Sequence, residues 1–370
     1  MTTPFDFAIV GGGIAGASVA AALAPHASVV LLEAEDVPGY HSTGRSAAFW
    51  HETLGGPLVQ PLSKASLEPL REGGFLEPRT SLNVAEAENV DKLDTLMANF
   101  AGTGAQLRRL DYAGICGFVP RAKPVLVEAV LEVDCADIDV GGLLNKYLSD
   151  FRKAGGTVLT DFRVDAMTRN REAWTVHSKG QSVSAKAIVN AAGAWGDIVA
   201  AMAGAKSLGL QPKRRTIAQV RVDGDDVPHD LPLTIDIGGT FYFRPEGTNK
   251  LWVCPHDETP VEPGDASPEE IDVAIAIDRL ETVTGWRVLA VEHKWAGLRT
   301  FAPDRLPVYG FDPDISGFFW CAGQGGYGIQ TAPAAGALCA AMLLDRAPET
   351  MVAHIDPTPF SPSRFHAGKI

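Results

Sequence analysis

The sequence has few cysteines, and none of them has the spacing of a metal site. Its 370 residues include five, an odd number for a set of disulfides. They are Cys116, Cys135, Cys254, Cys321 and Cys339, and no two of them form a CxxC pair. This usage disfavours a metal site and a disulfide framework, and it is typical of the reducing cytoplasm, where we expect the protein to be located.

Basic charge and long apolar segments are also scarce. Lys and Arg number 32 against 45 Asp and Glu, which gives a formal net charge of −13. A nucleic-acid partner is not expected, because binding nucleic acid needs a cationic surface. No apolar segment reaches the roughly 20 residues that a membrane-spanning helix needs, and the first residues lack the positive charge of a signal peptide. We therefore expect no membrane span.

The chain does contain enough apolar material for more than one core. Hydrophobic residues make up 46% of it, as in ordinary globular proteins. A length of 370 residues exceeds what one core usually accommodates, so the sequence predicts two domains.

A glycine-rich turn near the N-terminus separates a predicted strand from a predicted helix. The apolar run Phe5–Val10 is typical of a buried strand, and the Ala-rich segment 14–24 favours a helix. Between them, GGGIAG at 11–16 fits the GxGxxG pattern. A second strand is expected at 28–32, and it ends at Glu33.

The spacing of these glycines fits the binding of a dinucleotide. Gly11 permits the tight turn, Gly13 lets backbone approach a pyrophosphate, and Gly16 lets the helix pack closely on the strand. The N–H groups at the helix start attract phosphates, and Glu33 can accept hydrogen bonds from a ribose. Because all these parts occur in order, dinucleotide binding is favoured over a glycine turn of some other α/β protein.

Three further segments favour FAD over a nicotinamide cofactor. The segment EDVPGYHSTGRSAAFW at 35–50 offers hydroxyl and guanidinium donors soon after the second strand, although a surface loop with a helix cap has similar residues. The segment 185–197 is a strand that ends in small residues, which allow backbone to approach a ligand. The segment 317–344 adds a glycine-rich turn and a second helix start.

Six motifs follow one another along the chain: PGYHSTGRSAA, NAAGAW, LGLQPKRR, FYFRP, WAGLRTF and GFFW…QGGYGIQT. Together they resemble the FAD-dependent glycine/D-amino-acid oxidase (DAO) family, and within it the D-arginine dehydrogenases. The resemblance implies an α/β fold with a discontinuous Rossmann-like FAD-binding domain, a parallel sheet with helices, at 1–50, 140–205 and 290–370. An α+β substrate-binding domain with a mixed or antiparallel sheet would fill 51–139 and 206–289.

Local patterns agree with that second domain. The segments 215–222, 240–244 and 250–254 are rich in β-branched and aromatic residues, which favour strands. The segment 267–285 predicts a helix that is capped by Ser267 and has Pro268 in its first turn.

The resemblance also implies an activity. A D-amino-acid dehydrogenase or oxidase of this kind oxidises the Cα–N bond by passing a hydride to flavin N5, and the imino acid hydrolyses to a 2-oxo acid. Gly297 stands where other members of the superfamily carry a cysteine that attaches the flavin, so we expect non-covalent FAD. The electron acceptor, which can be a quinone, a dye or oxygen, stays open.

Other functions fit the same residues. A carboxylate anchor would equally serve a sarcosine-like secondary amine or a 2-hydroxy acid as substrate. A flavin-binding subunit without turnover of its own is a further alternative. In each enzymatic case, the expected partner is a small molecule.

The resemblance and the glycine pattern together assign a large set of residues to the cofactor. They are Gly11, Gly13, Ile14, Ala15, Gly16, Glu33, Ala34, His41, Ser42, Thr43, Gly44, Arg45, Ser46, Ala47, Ala48, Val164, Ala191, Gly193, Trp195, Arg299, Gly323, Gly325, Gly326, Tyr327, Gly328 and Ile329.

Four residues are expected at the reacting end of the substrate. Arg299, Tyr242 and Arg215 match carboxylate-holding positions of the enzymes that the chain resembles, and the carbonyl of Gly326 matches the group that receives the amine. A guanidinium suits a carboxylate because it donates two parallel hydrogen bonds. The structural alternatives are an ion pair for Arg299, strand packing for Tyr242 and a solvated surface for Arg215.

Five residues are expected around the substrate side chain: Phe49, Trp50, His51, Leu54 and Ser81. Ser81 stands where the D-arginine dehydrogenases carry the carboxylate that pairs with the substrate guanidinium. A buried guanidinium without a partner costs far more than one lost hydrogen bond. We therefore expect a substrate other than D-arginine, with a neutral or apolar side chain.

Overall fold

Two sheets carry the fold within residues 4–365, the part of the chain that the computed structural model describes. One has eight strands and the other ten. The strands are β1 (Phe5–Val10), β2 (Val29–Leu32), β3 (Phe49–His51), β4 (Leu76–Glu86), β5 (Leu107–Asp111), β6 (Leu126–Ile138), β7 (Thr157–Leu159), β8 (Ala166–Arg169), β9 (Trp174–Ser178), β10 (Gln181–Asn190), β11 (Gln211–Val222), β12 (Leu233–Asp236), β13 (Tyr242–Pro245), β14 (Lys250–Cys254), β15 (Thr259–Pro260), β16 (Val288–Phe301), β17 (Val308–Phe311) and β18 (Phe318–Ala322).

Helices follow many of these strands. They are α1 (Ile14–Leu23), α2 (Gln60–Glu72), α3 (Val90–Asn99), α4 (Tyr112–Phe118), α5 (Val140–Lys153), α6 (Gly196–Met202), α7 (Glu270–Val283) and α8 (Ala332–Leu343), with short 3-10 turns at Ala87–Asn89, Gly193–Trp195, Thr358–Phe360 and Pro362–Phe365. None of the helices in residues 4–365 has both the length and the apolar character to cross a membrane.

The eight-stranded sheet has a parallel centre. Its order is β17, β18, β10, β1, β2 and β7, where β17 alone runs antiparallel to its neighbour, and the β8–β9 hairpin extends from β10. On one face α1 packs against α5 and α8. The other face is covered by a second apolar core, which includes Trp174 and Val199. Both faces are buried, as parallel strands require.

The ten-stranded sheet is mixed. Its order is β15, β11, β14, β13, β12, β4, β6 and β3, with β16 on β11 and β5 on β6. All its pairs are antiparallel except β12 with β4. One face packs on α4 and α7 around Phe243 and Trp286, and the opposite face contributes to a large cavity. The expected α/β fold with a parallel and a mixed sheet is confirmed.

The helix predicted at 267–285 begins later than its sequence indicates. α7 starts at Glu270 and is capped at Glu269 without a side-chain hydrogen bond, so Ser267 is not the cap. Arg214 of β11 explains the difference, because it pairs with Glu269 and donates to Asp272 Oδ2 at 2.9 Å. These two ion pairs hold the first turn of the helix against the sheet.

Two of the predicted domain boundaries fall inside strands. The boundary at residue 50 lies within β3, and the boundary at 290 lies within β16, while both strands belong to the ten-stranded sheet. Hydrogen bonds between strands that are distant in the chain fix this membership, and they leave no local mark in the sequence. The division into an FAD-binding and a substrate-binding domain stays a prediction.

Candidate active site

A cavity of about 400 Å³ is lined by both sheets. The eight-stranded sheet contributes the ends of β1, β2 and β10 and the start of α1. The ten-stranded sheet contributes residues of β11 and β16, and the loop between β18 and α8 closes a further side. The cavity therefore lies at the carboxyl ends of parallel strands, where α/β proteins commonly bind ligands.

The turn before α1 is built for close approach of a ligand. Gly11 has a φ of +110°, and a Cβ atom there would collide with the carbonyl oxygen of Ala191, the residue that follows β10. The helix is capped by Gly13 without a side-chain hydrogen bond, and its first turn contains no acidic residue. The positive dipole end of this helix consequently attracts an anion more strongly than a neutral group. These residues fit the pyrophosphate of FAD.

Glu33 and Thr43 support this turn from two sides. The carboxylate of Glu33 accepts hydrogen bonds from Gly12 N at 2.8 Å and from Glu35 N at 2.9 Å. Thr43 Oγ1 accepts from Ile14 N at 3.0 Å. The acid at the end of β2 thus lies beside the glycine turn, which is the position expected for a ribose contact.

The segment 41–46 connects the cofactor end of the cavity to the second sheet. The His41 ring packs at a tilt against Trp195 with ring centroids 4.7 Å apart, and His41 Nε2 lies 3.0 Å from Glu35 Oε1. Ser42 Oγ donates to Leu298 O at 2.7 Å, and Arg45 Nη1 donates to Ala266 O at 2.7 Å. The Arg45 guanidinium therefore links this segment to Ala266 and to β16, and Arg45 is also one of the residues that line the cavity.

Two guanidiniums from neighbouring strands share one face of the ten-stranded sheet. β11 and β16 pair Arg215 with Gly297 and Lys213 with Arg299, so the side chains of Arg215 and Arg299 lie on the same side. The Arg215 side chain is only 4% exposed, and its Nε and Nη1 are buried without a hydrogen-bond partner. Burial, together with the charge of Arg299, lowers the pKa of Arg215.

Tyr242 reaches the same region from β13. Its Oη is buried without a hydrogen-bond partner, and its ring packs edge-on against Phe49 with centroids 6.4 Å apart. Burial raises the pKa of Tyr242, against the opposing effect of the Arg299 and Arg215 charges. At neutral pH the phenol is therefore a hydrogen-bond donor.

Glu258 anchors the outer edge of this charged group. Its carboxylate accepts hydrogen bonds from Lys213 Nζ at 2.9 Å and from Arg305 Nη2 at 2.8 Å. The same carboxylate lies 3.3 Å from Arg215 Nη2. Burial would raise the pKa of Glu258, but these cations outweigh it and lower the pKa to about 2.

Most residues assigned to the cofactor line the cavity. They are Gly11, Gly13, Ile14, Ala15, Glu33, Ala34, His41, Ser42, Thr43, Arg45, Ser46, Ala47, Ala48, Val164, Ala191, Gly193, Trp195, Arg299, Gly325, Gly326, Gly328 and Ile329. Gly16, Gly44, Gly323 and Tyr327 do not line it. Gly16 instead allows α1 to pack on the turn, since a Cβ there would collide with Gly11 O, and Tyr327 donates to Arg305 O.

Of the four residues expected at the reacting end, Arg299, Arg215 and Gly326 line the cavity. A Cβ atom on Gly326 would lie 3.1 Å from Arg299 Nη1, so the glycine leaves room for the guanidinium. Tyr242 does not line the cavity, but its ring contacts Phe49, which does.

The structure corrects part of the expected side-chain pocket. Phe49 and Leu54 line the cavity, but Trp50 points to the opposite side of β3 and donates to Ser63 O inside the helical core. The alternation of side chains along a strand explains this, because residues 49 and 50 must face opposite ways. His51 and Ser81 do not line the cavity either, and they contact each other at 2.9 Å.

Several cavity residues were not identified from the sequence. They are Val10, Leu32, Glu35, Gly39, Tyr40, Phe162, Arg163, Ala192, Ala194, Ile198, Val199, Met202, Ile217, Leu298, Thr300, Gln324 and Gln330. Phe162 and Arg163 follow β7, a parallel strand, so the rule that ligands bind at carboxyl ends could have found them. The α6 residues carry no comparable signal in the sequence.

The chain is similar to a known family and to known proteins. The family model described as DAO, FAD dependent oxidoreductase, matches residues 6–342. A Xenopus laevis protein named FAD-dependent oxidoreductase domain-containing protein 1 is 30% identical over 184 residues, which cover 45% of this chain and 36% of that protein. The mitochondrial L-2-hydroxyglutarate dehydrogenase of Bos taurus is 26% identical over 294 residues, which cover 69% of this chain and 61% of its own length. The matches thus span less than two thirds of either relative.

Similarity of fold extends over nearly the whole chain. The crystal structure of glycine oxidase from Geobacillus kaustophilus superposes with a TM-score of 0.84 at 24% sequence identity. The superposition covers 98% of this chain and 99% of that one. At this level of identity the likeness is one of fold.

Proposed function

The chain belongs to the DAO family of FAD-dependent oxidoreductases, whose cofactor is FAD, and from that premise we propose that it oxidises the Cα–N bond of a D-amino acid. The product is an imino acid, which water hydrolyses to a 2-oxo acid and ammonia. Bound FAD supplies the two-electron oxidant for this reaction. The residues of the chain hold and orient the substrate.

The buried and unpaired hydrogen-bond donors on the ten-stranded sheet are the observation that carries this proposal. Nε and Nη1 of Arg215 and Oη of Tyr242 have no partner, although burying such groups unpaired is costly. A carboxylate held by Arg299 would accept a hydrogen bond from one of the unpaired Arg215 nitrogens and offset one of two adjacent cations, and Tyr242 Oη is the further donor that we propose for it.

The amine end is supported by backbone. Gly326 lies beside Arg299, so its carbonyl can accept a hydrogen bond from the amine of a substrate whose carboxylate is held by that guanidinium. The substrate is fixed at two points, which orients its Cα–H bond. Solvent is sufficient to take the amine proton.

The substrate side chain is proposed to be neutral. Phe49 and Leu54 are the residues of the expected side-chain pocket that line the cavity, and neither can pair with a cation. Values of kcat/KM over a panel of D-amino acids test this preference, with ammonia measured as product. We expect D-amino acids with neutral side chains to exceed D-arginine, and D-arginine as the best substrate would contradict the proposal.

Oxidation of a 2-hydroxy acid is the second candidate. It is favoured by the similarity to the bovine L-2-hydroxyglutarate dehydrogenase, and Arg299 and Arg215 would hold its carboxylate equally well. The product distinguishes the two reactions, because only an amino acid releases ammonia together with the 2-oxo acid.

FAD is proposed to bind without a covalent bond. Gly297, at the position where covalent members carry a cysteine, lines the cavity and offers no side chain to attach. After precipitation with acid, the yellow colour is expected in the supernatant. Colour retained in the protein pellet would show a covalent bond.

A further inference from the structure

A buried ion pair lies on the same face of the ten-stranded sheet as the carboxylate-binding donors. Tyr242 of β13 pairs with Ile235 of β12, and two residues earlier on β12 Leu233 pairs with Ser81 of β4, which in turn pairs with Glu132 of β6. These side chains therefore lie on one face of the sheet. His51 of β3 lies next to Glu132, with 2.9 Å between Nε2 and Oε2.

This pair is well buried, and both oxygens of Glu132 have hydrogen-bond partners. The side chains of His51 and Glu132 are 5% and 1% exposed. Glu132 Oε1 accepts from Glu52 N at 2.7 Å, and Oε2 accepts from Thr53 Oγ1 at 2.7 Å, while His51 Nε2 also lies 2.9 Å from Ser81 Oγ. Burial would raise the pKa of Glu132, but the charge and hydrogen bonds of His51 and Thr53 lower it below its ordinary value. Glu132 is thus a charged carboxylate inside the protein.

The pair lies next to residues that line the cavity. His51 shares its side of β3 with Phe49, and Leu54 follows three residues later, and both of these line the cavity. The backbone of His51 is fixed by Gln330, another lining residue, which donates from Nε2 to His51 O at 3.1 Å. Phe49 in turn contacts Tyr242, so both the proposed carboxylate donor and the ion pair have Phe49 as a neighbour on this face.

We propose that His51 is a specificity-determining residue that occupies the Glu132 carboxylate next to the residues that line the side-chain pocket, Phe49 and Leu54. The imidazole fills the place in which a cationic side chain could otherwise pair with Glu132. The pair consequently restricts the enzyme to neutral side chains. This inference rests on the proposed function, since it names the substrate class of that site.

Removing the imidazole tests this directly. In His51→Ala, the Glu132 carboxylate loses its imidazole partner, and the space that the imidazole filled becomes empty. We expect the melting temperature to fall relative to wild type, and imidazole added at pH 6 to restore much of the loss, while NaCl of equal ionic strength does not. The variant His51→Ala/Glu132→Gln is the matched control, and imidazole should not raise its melting temperature.

Substrate preference supplies the second measurement. The ratio of kcat/KM for D-lysine to that for D-alanine is expected to rise at least tenfold in His51→Ala and to return toward the wild-type ratio in the double variant. If His51→Ala does not fold, His51→Gln takes its place, because its amide still donates a hydrogen bond to Glu132 without matching its charge. The inference is overturned if the ratio of kcat/KM for D-lysine to that for D-alanine is unchanged in the variant that folds. It is also overturned if imidazole raises the melting temperatures of His51→Ala and His51→Ala/Glu132→Gln equally.

The two measurements separate the inference from the proposed function. If no D-amino acid reduces the flavin of the wild-type enzyme, the proposed function fails. The effect of imidazole on the melting temperature of His51→Ala still shows whether the His51 side chain is the partner of Glu132. If D-amino acids are oxidised but imidazole stabilises no variant selectively, the function stands and the inference fails.

Discussion

At the scale of single residues, two adjacent arginines illustrate how position decides role. Arg214 and Arg215 are neighbours on β11 and therefore face opposite sides of the sheet. Arg214 pairs with Glu269 and Asp272 of α7 and has a structural role. Arg215 is buried at the cavity with two nitrogens unpaired, so the solvated surface that its sequence context allowed is not what the structure shows.

Tyr242→Phe separates stability from binding at this site. Because Tyr242 Oη is buried without a partner, removing it should leave the free energy of unfolding unchanged or raise it by up to about 1 kcal/mol. If the phenol donates to the substrate carboxylate, kcat/KM should fall about tenfold or more, as for other hydrogen bonds to charged groups. Urea unfolding and steady-state kinetics measure the two effects.

Tyr112→Phe is the matched control for that substitution. Its hydroxyl donates to Ala122 O at 3.0 Å, away from the cavity, so its loss should cost about 1 kcal/mol of stability without changing kcat/KM. A Tyr242→Phe enzyme with unchanged kcat/KM would remove the phenol from the proposed anchor.

At the scale of elements, the strand, turn and helix at the N-terminus were well predicted. β1 has the predicted bounds, and α1 ends at Leu23, one residue before the predicted end. Their signals are local, since they consist of an apolar run, three glycines and a run of helix-forming residues. The predicted start of α7 was wrong because the position where this helix begins depends on residues distant in the chain, Arg214 among them.

Gly11→Ala tests the turn that the glycine pattern predicted. Its φ of +110° disfavours any side chain, and the added Cβ would collide with Ala191 O where β1 and β10 end. We expect a loss of about 3 kcal/mol in the free energy of unfolding, from strain and collision together, and weaker retention of FAD. Fluorescence of released FAD during gel filtration measures that retention.

Gly56→Ala provides the comparison for strain alone. Its φ is +81°, but nothing lies within 4 Å of the added Cβ, so about 1 kcal/mol should be lost and FAD should stay bound. Equal FAD retention in both variants would argue against a cofactor role of the first glycine turn.

Glu258 connects two loops, and its stabilisation depends on pH. It lies between β14 and β15 and pairs with Arg305, which lies between β16 and β17. Its pKa of about 2 is below the ordinary value of 4.5, so its contribution is complete above about pH 4.5 and is lost as pH falls toward 2. Glu258→Gln should therefore lower stability by roughly 1 kcal/mol at pH 7, with a smaller difference at pH 3.

Urea unfolding at the two pH values measures this difference. Glu349→Gln is the control, because Glu349 is exposed on the surface and its substitution should have little effect at either pH. A Glu258→Gln difference that is larger at pH 3 than at pH 7 would contradict the assignment.

At the scale of the whole molecule, sequence predicted the fold class and the identity of the cofactor better than the walls of the site. The pairing of β3 with β6 and of β11 with β16 brings together residues more than two hundred positions apart, such as Phe49 and Arg299. Which face of a short strand turns inward depends on that pairing. For this reason the sequence predicts both Phe49 and Trp50 at the cavity, whereas of these two only Phe49 lines it.

The central claim is that Arg299 and Arg215 hold a D-amino acid by its carboxylate beside FAD. Its most direct test is the rate at which the flavin absorbance of the FAD-loaded protein bleaches without oxygen, on mixing with D-alanine. We predict bleaching by D-alanine and not by L-alanine, and in Arg299→Lys an apparent Kd raised about 10- to 100-fold, because lysine keeps the charge but loses the paired hydrogen bonds. Equal bleaching by both enantiomers, or an unchanged Kd in Arg299→Lys, would contradict the account.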